Sequence, residues 1–215
     1  MSYTAVLFDL DGTLVQSDEG ILNCVEYALA ECGYAVPPRE SLRSFIGPPL
    51  PAEFARVTGC RPEEADRLTA KDRERYKPIG IFECRLYDGV FELLTALHAA
   101  GVKTAVATSK PTVFAARVLA HFGLESVVDA LVGSELDGRH SGKEELIALA
   151  CEKLGVSDRA TVAMVGDRRF DMEGAKAAGV VACGVTYGYG TEQELREAGA
   201  EILAASADEL RGILL

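Results

Sequence analysis

The sequence has no tryptophan, no Cys-x-x-Cys pair and a shortage of positive charge. Its 22 Lys and Arg residues stand against 33 Asp and Glu residues, which gives a formal net charge of −11 at pH 7. This shortage excludes broad nucleic-acid binding, because such binding needs many cations that neutralise phosphates. A small anionic substrate needs only a few local cations and remains compatible with the composition.

Long apolar runs are also missing, and residues 1–10 do not have the pattern of a signal peptide. No apolar stretch approaches the roughly 18–20 residues of a membrane helix, so we expect no membrane association. The segment 1–10 lacks a basic region and a small-residue cleavage site, and we interpret it as mature sequence. The six cysteines have no metal-like spacing to histidine. We therefore expect reduced thiols, no zinc site and a cytoplasmic location.

The chain nevertheless has an ordinary globular balance, with 48% hydrophobic and 26% charged residues. A short apolar strand is predicted at residues 4–9, and strands alternate with helices from Asp88 onwards. This order predicts an α/β fold with a doubly wound parallel sheet. We expect Asp88 to cap one of these helices and Pro111 to lie in the first turn of the next.

The stretch between Val15 and Ile81 differs from the rest, because it predicts helices and no strand. It lies between the first strand and the remaining sheet. We therefore predict an α/β core at residues 1–15 and 82–215, with an inserted helical cap domain at residues 16–81.

Polar side chains gather where the predicted strands end. Since ligands bind at the carboxyl ends of parallel strands, these residues are expected to share one edge of the sheet. A single cluster of this kind is equally consistent with a turn or a helix cap, but four clusters at one edge indicate a site. The residues are Asp9 and Asp11, Thr108 to Lys110, Lys143, and Asp167 with Asp171.

The residue types in these clusters indicate phosphoryl chemistry. Several carboxylates in a small volume are costly unless a cation lies among them, and a set of oxygen ligands favours Mg²⁺. Hydroxyls, backbone amides and a lysine suit the oxygens of a phosphoryl group. One carboxylate can attack phosphorus, and a second can protonate the leaving oxygen and later activate water.

These residues resemble the four motifs of the haloacid dehalogenase-like superfamily, in the order and strand context of its Mg²⁺-dependent phosphatases. The first is D-x-D-G-[TS], here 9–13, and the second is a hydroxyl after a strand, here Thr108 or Ser109. The third is a lysine, best matched by Lys143. The fourth is G-D-x-x-x-D, here 166–171. The presence of Asp11 argues against dehalogenation, since dehalogenases lack that carboxylate.

The resemblance implies a role for each matched residue. Asp9 is expected to be the nucleophile and a metal ligand, and Asp11 the general acid and base, with its backbone carbonyl on Mg²⁺. Asp167 and Asp171 are expected to complete the metal site. Lys143 is followed by Glu144, where the family has proline, so Lys110 remains a rival phosphate cation. The expected phosphate-binding residues in the core are Gly12, Thr108, Ser109 and Lys110.

Segments 45–50 and 187–191 favour the phosphoglycolate phosphatase-like and 5′-nucleotidase-like branch, and the inserted helices resemble the cap of that branch. Arg43 and Gly47 are its candidate substrate contacts. We predict a phosphomonoester hydrolase that forms an aspartyl-phosphate and acts on a small phosphorylated metabolite, as a monomer or weak homodimer. The alternatives are a phosphomutase of the β-phosphoglucomutase type and a catalytically silent phosphate-binding module.

Overall fold

The computed structural model describes residues 3–136 and 139–215. The chain divides into two compact units, Met1–Gln16 with Leu86–Leu215 and Ser17–Arg85. The helical unit begins one residue later and ends four residues later than the segment 16–81 expected from the sequence. The second boundary shifts because Glu83 is bound within the helical unit, where its carbonyl accepts a hydrogen bond of 3.0 Å from Gly20 N.

A six-stranded parallel sheet forms the first unit, in the order β5-β4-β1-β6-β7-β8. Helices flank it, which confirms the predicted doubly wound α/β fold. Its strands are β1 (Ala5–Phe8), β4 (Lys103–Pro111), β5 (Ala130–Ser134), β6 (Val162–Gly166), β7 (Val181–Val185) and β8 (Ile202–Ala204).

Strand β1 lies at the centre of this sheet, and all four of its residues are buried. Ala5 is in register with Lys103 of β4 on one side and with Val162 of β6 on the other. The order of the strands reverses at β1, and such a reversal opens a crevice at the carboxyl ends of the strands. The ends of β1, β4 and β6 therefore share the edge at which the sequence predicts the site.

Strand β4 is longer than expected, because it continues past Thr108 to Pro111. Its pairing with β5 shifts in register between Thr108 and Pro111. Such an irregularity re-aims side chains at the end of a strand. This geometry places Thr108, Ser109 and Lys110 within the strand rather than in a loop after it.

Two details of the helix starts in this unit differ from expectation. Gly89, with φ of 79°, occupies the N-cap of the helix that follows Asp88, and no side chain caps it. Pro111 is the N-cap of the next helix rather than part of its first turn. The helices are α4 (Val90–Ala99), α5 (Thr112–His121), α6 (Lys143–Leu154), α7 (Arg169–Ala178), α8 (Glu192–Glu197) and α9 (Ala207–Leu214).

The second unit is mainly helical and has its own apolar core. Phe45 packs edge-on against Phe54 at a centroid distance of 4.9 Å. Its helices are α1 (Asp18–Glu31), α2 (Leu50–Thr58) and α3 (Pro62–Tyr76), with 3-10 turns at Arg39–Phe45 and Gly80–Phe82.

The expectation of no strand between residues 15 and 81 is wrong at one short element. Strand β2 (Val15–Gln16) pairs with β3 (Arg85–Leu86) in a separate two-stranded sheet. A strand of two residues carries no detectable apolar alternation. All six cysteines are free thiols. In the part of the chain that the structure describes, no helix is long and apolar enough to cross a membrane.

Candidate active site

The turn after β1 presents two carboxylates of the first unit. Asp9 follows the strand directly, and its backbone nitrogen donates to Val165 O at 2.9 Å. The chain then turns at Gly12, whose φ of 90° suits glycine. Gly12 N donates to Val15 O at 2.8 Å and closes this turn. Asp9 and Asp11 are thereby held at the carboxyl end of the central strand.

Two further carboxylates follow β6, at the start of α7. Asp167 and Asp171 are 0% and 1% exposed. Asp171 accepts a hydrogen bond of 3.0 Å from Arg168 N, which lies at the N-cap of α7. Asp167 accepts one of 2.8 Å from Tyr189 N and one of 3.3 Å from the Thr13 hydroxyl. Backbone and hydroxyl donors therefore hold both carboxylates in fixed positions.

The structure brings Asp9, Asp167 and Asp171 together, with one ligand atom of each lying within 4.8 Å of the others. Lys143, the first residue of α6, reaches the same cluster. Its Nζ lies 2.9 Å from Asp9 Oδ1 and 2.8 Å from Asp171 Oδ1, and it donates to Ala107 O at 3.1 Å. The cluster thus combines three carboxylates with one buried ammonium group.

Asp11 takes a separate partner, because both of its oxygens lie 2.7 Å from Lys110 Nζ. The carboxyl group of Asp11 stands outside the three-carboxylate cluster. The two lysines that the sequence left as rivals therefore contact different carboxylates, Lys143 beside Asp9 and Lys110 beside Asp11. Each can offset charge at the site.

The hydroxyl residues of β4 occupy different environments. Thr108 is 1% exposed, and its hydroxyl accepts a hydrogen bond of 3.2 Å from Lys110 N. The Ser109 hydroxyl donates to Ser141 O at 3.1 Å. These contacts leave both residues as phosphate-binding predictions.

The predicted cap residues belong to the second unit. Arg43 lies in the 3-10 turn before the loop and is 3.6 Å from Glu40, with an exposed side chain. Gly47 has φ of 105°, and a Cβ there would meet open space among the described residues. A role for either in substrate binding remains a prediction.

Burial dominates the electrostatics of the cluster. It raises the pKa of Asp9 to about 6, although Lys143 acts in the opposite direction. Burial raises the pKa of Asp167 well above its usual range, and the neighbouring charges of Asp171 and Asp9 add to this effect. The same two carboxylates, Asp171 and Asp9, raise the pKa of Lys143 against the effect of burial, so this lysine stays charged. The negative charges of the cluster therefore call for a further cation.

The donor set fits a divalent cation. Taken as ionised, Asp9, Asp11, Asp167 and Asp171 outnumber Lys110 and Lys143 by two charges. The candidate ligands are oxygens of carboxylates, which suit Mg²⁺ better than zinc or copper. Asp9, Asp167 and Asp171 are thus the side chains that would hold it.

A loop after β7 contributes to this site without having been predicted to do so. Tyr189 N binds Asp167, and the Tyr187 hydroxyl donates to Thr13 O at 3.0 Å. The available signal was the pair of glycines, Gly188 and Gly190, that follows an apolar strand at the same sheet edge. In the sequence alone, these glycines favour a branch of the family and lack the third glycine of a dinucleotide-binding motif, so they indicate no role at this site.

A family model and several known proteins are similar to this chain. A family model described as "Haloacid dehalogenase-like hydrolase" matches residues 6–185. A 5′-nucleotidase of Pseudomonas aeruginosa is 43% identical over 91% of this chain and 88% of its own length. A plasmid-encoded phosphoglycolate phosphatase of Cupriavidus necator is 32% identical over 98% and 93%. The relatives thus carry both names of the predicted branch.

Two further matches extend this range. A protein of Mycobacterium tuberculosis named tyrosine-protein kinase PtkA is 37% identical over 97% of this chain and 72% of its own length. A solved structure of a predicted phosphatase from Clostridium acetobutylicum has a TM-score of 0.93 and 42% identity, and the match covers 100% of this chain and 99% of that one. The similarity therefore extends over both units.

Proposed function

The chain belongs to the haloacid dehalogenase-like hydrolase family and is a phosphatase, and we propose that it hydrolyses small phosphomonoesters with Mg²⁺ through an aspartyl-phosphate. The observation that carries this proposal is the placement of Asp9 and Asp11 beside each other with different partners. Asp9 lies in the three-carboxylate cluster beside Lys143, whereas Asp11 is held by Lys110. Two carboxylates in different environments suit two different roles.

In the first step, a carboxylate oxygen of Asp9 attacks phosphorus and the ester P–O bond breaks. Asp11 gives a proton to the leaving oxygen, which departs as an alcohol. The charged Lys143, 2.9 Å from Asp9 Oδ1, favours the ionised form that attack requires. The Thr108 hydroxyl and nearby backbone amides are the candidates to bind the phosphoryl oxygens.

In the second step, Asp11 takes a proton from water as the water oxygen attacks the phosphorus of the aspartyl-phosphate. The bond from phosphorus to Asp9 breaks, so inorganic phosphate leaves and both carboxylates return to their starting forms. Mg²⁺, when bound by Asp9, Asp167 and Asp171, would neutralise negative charge that develops on the phosphoryl group. The helical unit is the proposed cap that selects the substrate and excludes water.

The proposed substrate class is a small phosphorylated metabolite, in keeping with the names of a 5′-nucleotidase and a phosphoglycolate phosphatase among the relatives. Arg43 and Gly47 are its candidate contacts in the cap. We expect a cytoplasmic enzyme that works as a monomer or weak homodimer, without nucleic acid or membrane.

The test is phosphate release from a panel of nucleoside monophosphates, sugar phosphates and phosphoglycolate, with and without Mg²⁺. We expect release that requires Mg²⁺ and disappears in Asp9→Asn. Asp208→Asn, which changes an exposed carboxyl group of α9, is the matched control and should keep wild-type activity. An isomeric phosphate ester in place of phosphate would instead indicate a phosphomutase. Folded protein with neither product would overturn the proposal in favour of a silent phosphate-binding module.

A further inference from the structure

The loop Tyr187–Gly190, which follows β7, lies directly against Asp167. A Cβ built on Gly188 would be 2.3 Å from Asp167 Cβ and 2.4 Å from Gly12 O. A Cβ on Gly190 would be 2.1 Å from Asp167 O. Side chains at either position would collide with the backbone or with Asp167. The loop can approach this closely only because both residues are glycine.

Each of the two oxygens of the Asp167 side chain accepts a hydrogen bond from a different segment of the chain. Tyr189 N, within the loop, donates to Oδ2 at 2.8 Å, and the Thr13 hydroxyl donates to Oδ1 at 3.3 Å. Gly12 packs against the same carboxylate, since a Cβ there would be 2.2 Å from Asp167 Oδ2. Asp167 is therefore held between the turn after β1 and the loop after β7.

Tyr187 connects the loop after β7 with the turn after β1. Its hydroxyl donates to Thr13 O at 3.0 Å, and its ring packs against Tyr87 at a centroid distance of 4.8 Å. Tyr87 N in turn donates to Leu14 O at 3.1 Å. The hydroxyl of Tyr187 thereby fixes the distance between the loop that binds Asp167 and the turn that carries Asp9.

From these contacts we infer that the loop Tyr187–Gly190 is a positioning element for the metal site. It sets the Asp167 carboxylate relative to Asp9, and its two determinants are the Tyr187 hydroxyl and the absent side chain of Gly188. The inference rests on the proposed function, because it assumes that Asp9, Asp167 and Asp171 bind a divalent cation.

The size of the expected effect follows from the demands of Mg²⁺. This ion needs near-octahedral ligands at about 2.0–2.1 Å, so a small displacement of one carboxylate weakens binding. Groups that orient metal ligands typically change metal affinity by about 10–100-fold when they are removed. Loss of the Tyr187 hydroxyl loosens the loop, whereas a methyl group at position 188 forces Asp167 or Gly12 to move.

The experiment is calorimetric titration of the whole protein with Mg²⁺ in the absence of substrate. We expect Kd to rise about 10-fold in Tyr187→Phe and about 100-fold in Gly188→Ala. Tyr3→Phe removes a hydroxyl from a buried tyrosine that precedes β1, at the opposite end of that strand. Gly212→Ala adds a methyl group where the described residues leave open space. Both controls should bind Mg²⁺ as the wild type does.

A kinetic measurement separates positioning from general damage. In Tyr187→Phe, saturating Mg²⁺ should restore most of kcat, because the hydroxyl acts on metal affinity and touches no reacting atom. Unchanged Mg²⁺ affinity in Tyr187→Phe would overturn the inference and leave the proposed function standing. An equal loss of affinity in Tyr3→Phe would also overturn it, as an effect of lost stability. If the folded wild type bound no Mg²⁺, the proposed metal site would itself be wrong, and the positioning role of the loop would be wrong with it.

Discussion

Both units contain buried or half-buried charges, but they balance them differently. In the helical unit, Arg75 contacts both oxygens of Glu83 at 2.7 and 2.8 Å, and Asn23 donates to the same carboxylate at 3.2 Å. In the α/β unit, Asp9, Asp167 and Asp171 share a small volume with one ammonium group, that of Lys143. The charge of Glu83 is therefore balanced by Arg75, whereas the three-carboxylate cluster carries a surplus of negative charge.

The pKa values record this difference. Arg75 lowers the pKa of Glu83, because the bidentate contact favours its ionised form. Burial raises the pKa of Asp9 to about 6 and that of Asp167 well above its usual range. Paired charges of the first kind belong to the structure of a fold, whereas a buried surplus of charge of one sign is typical of a functional site. Both units contain acidic residues, so only the local balance separates structure from function.

The largest expected effect is that of Asp167→Asn, which removes one surplus charge. Activity should fall by on the order of 10³-fold, because loss of a metal ligand removes several kcal/mol of stabilisation from the transition state. The metal-free protein should become more stable by about 1–2 kcal/mol, since burial and the charges of Asp171 and Asp9 disfavour the ionised carboxylate of Asp167. Phosphate release and urea unfolding in the presence of a chelator measure the two changes. Reduced stability of the metal-free variant would show that the cluster is already balanced.

The pH dependence of the metal-free protein is the next largest effect. The pKa of Asp9 is about 6 in the folded protein against an ordinary 3.8, so the folded state binds more protons between these values. The free energy of unfolding should therefore fall as pH rises from about 4 to 6, by on the order of 3 kcal/mol for this group. Saturating Mg²⁺ should flatten the slope. Urea titrations at several pH values, with Mg²⁺ or chelator, measure both curves, and identical curves would contradict the surplus of charge.

Glu83→Gln tests the balanced pair of Glu83 and Arg75. It should change the free energy of unfolding in the opposite direction to Asp167→Asn. It leaves Arg75 half-buried without its anion, so the free energy of unfolding should fall by about 1–2 kcal/mol. Mg²⁺ should not change this loss. Because the folded pKa of Glu83 is lowered, its stabilising contribution is present at neutral pH and is lost as pH falls through that pKa. Urea unfolding measures the change, and equal free energies of unfolding in variant and wild type would refute it.

The smallest effect is expected for Glu192→Gln on the surface of α8. Glu192 lies 2.8 Å from Arg196, but both side chains are more than half exposed. Exposed pairs of this kind contribute about 0–1 kcal/mol, so a change below about 0.5 kcal/mol is expected in urea unfolding. This variant is the matched control for Glu83→Gln. A larger loss here would remove burial as the explanation of the contrast.

Much of the sheet could be predicted, because its strands are compact apolar runs such as Val162–Val165 that end in polar residues. The motif carboxylates could also be placed at one edge, since parallel strands present their carboxyl ends together. The sequence pattern did not predict helix caps and strand ends, because backbone geometry determines them. Gly89 rather than Asp88 is the N-cap of α4, and the register shift of β4 keeps Lys110 within the strand.

Contacts between distant segments were beyond reach of the sequence. The rivalry between Lys110 and Lys143 ends in separate ion pairs, Lys110 with Asp11 and Lys143 with both Asp9 and Asp171. The folded positions of β4 and α6 determine which carboxylates each lysine can reach. The loop at Tyr187 meets Thr13 across 174 positions of sequence. Spacing along the chain carries no trace of such a contact, so the positioning role of the loop emerged only from the structure.

The close approach of Gly20 and Gly80 has a consequence for folding. A Cβ on Gly20 would be 2.0 Å from Gly80 O, so the beginning and the end of the helical unit meet backbone to backbone. Once this unit has folded, the chain between β1 and β4 behaves as a much shorter connection. Loop closure costs about 0.6 kcal/mol more for each doubling of length, so early folding of the insertion lowers the entropic barrier to pairing the central strands. Folding of the insertion therefore favours the pairing of β1 with β4.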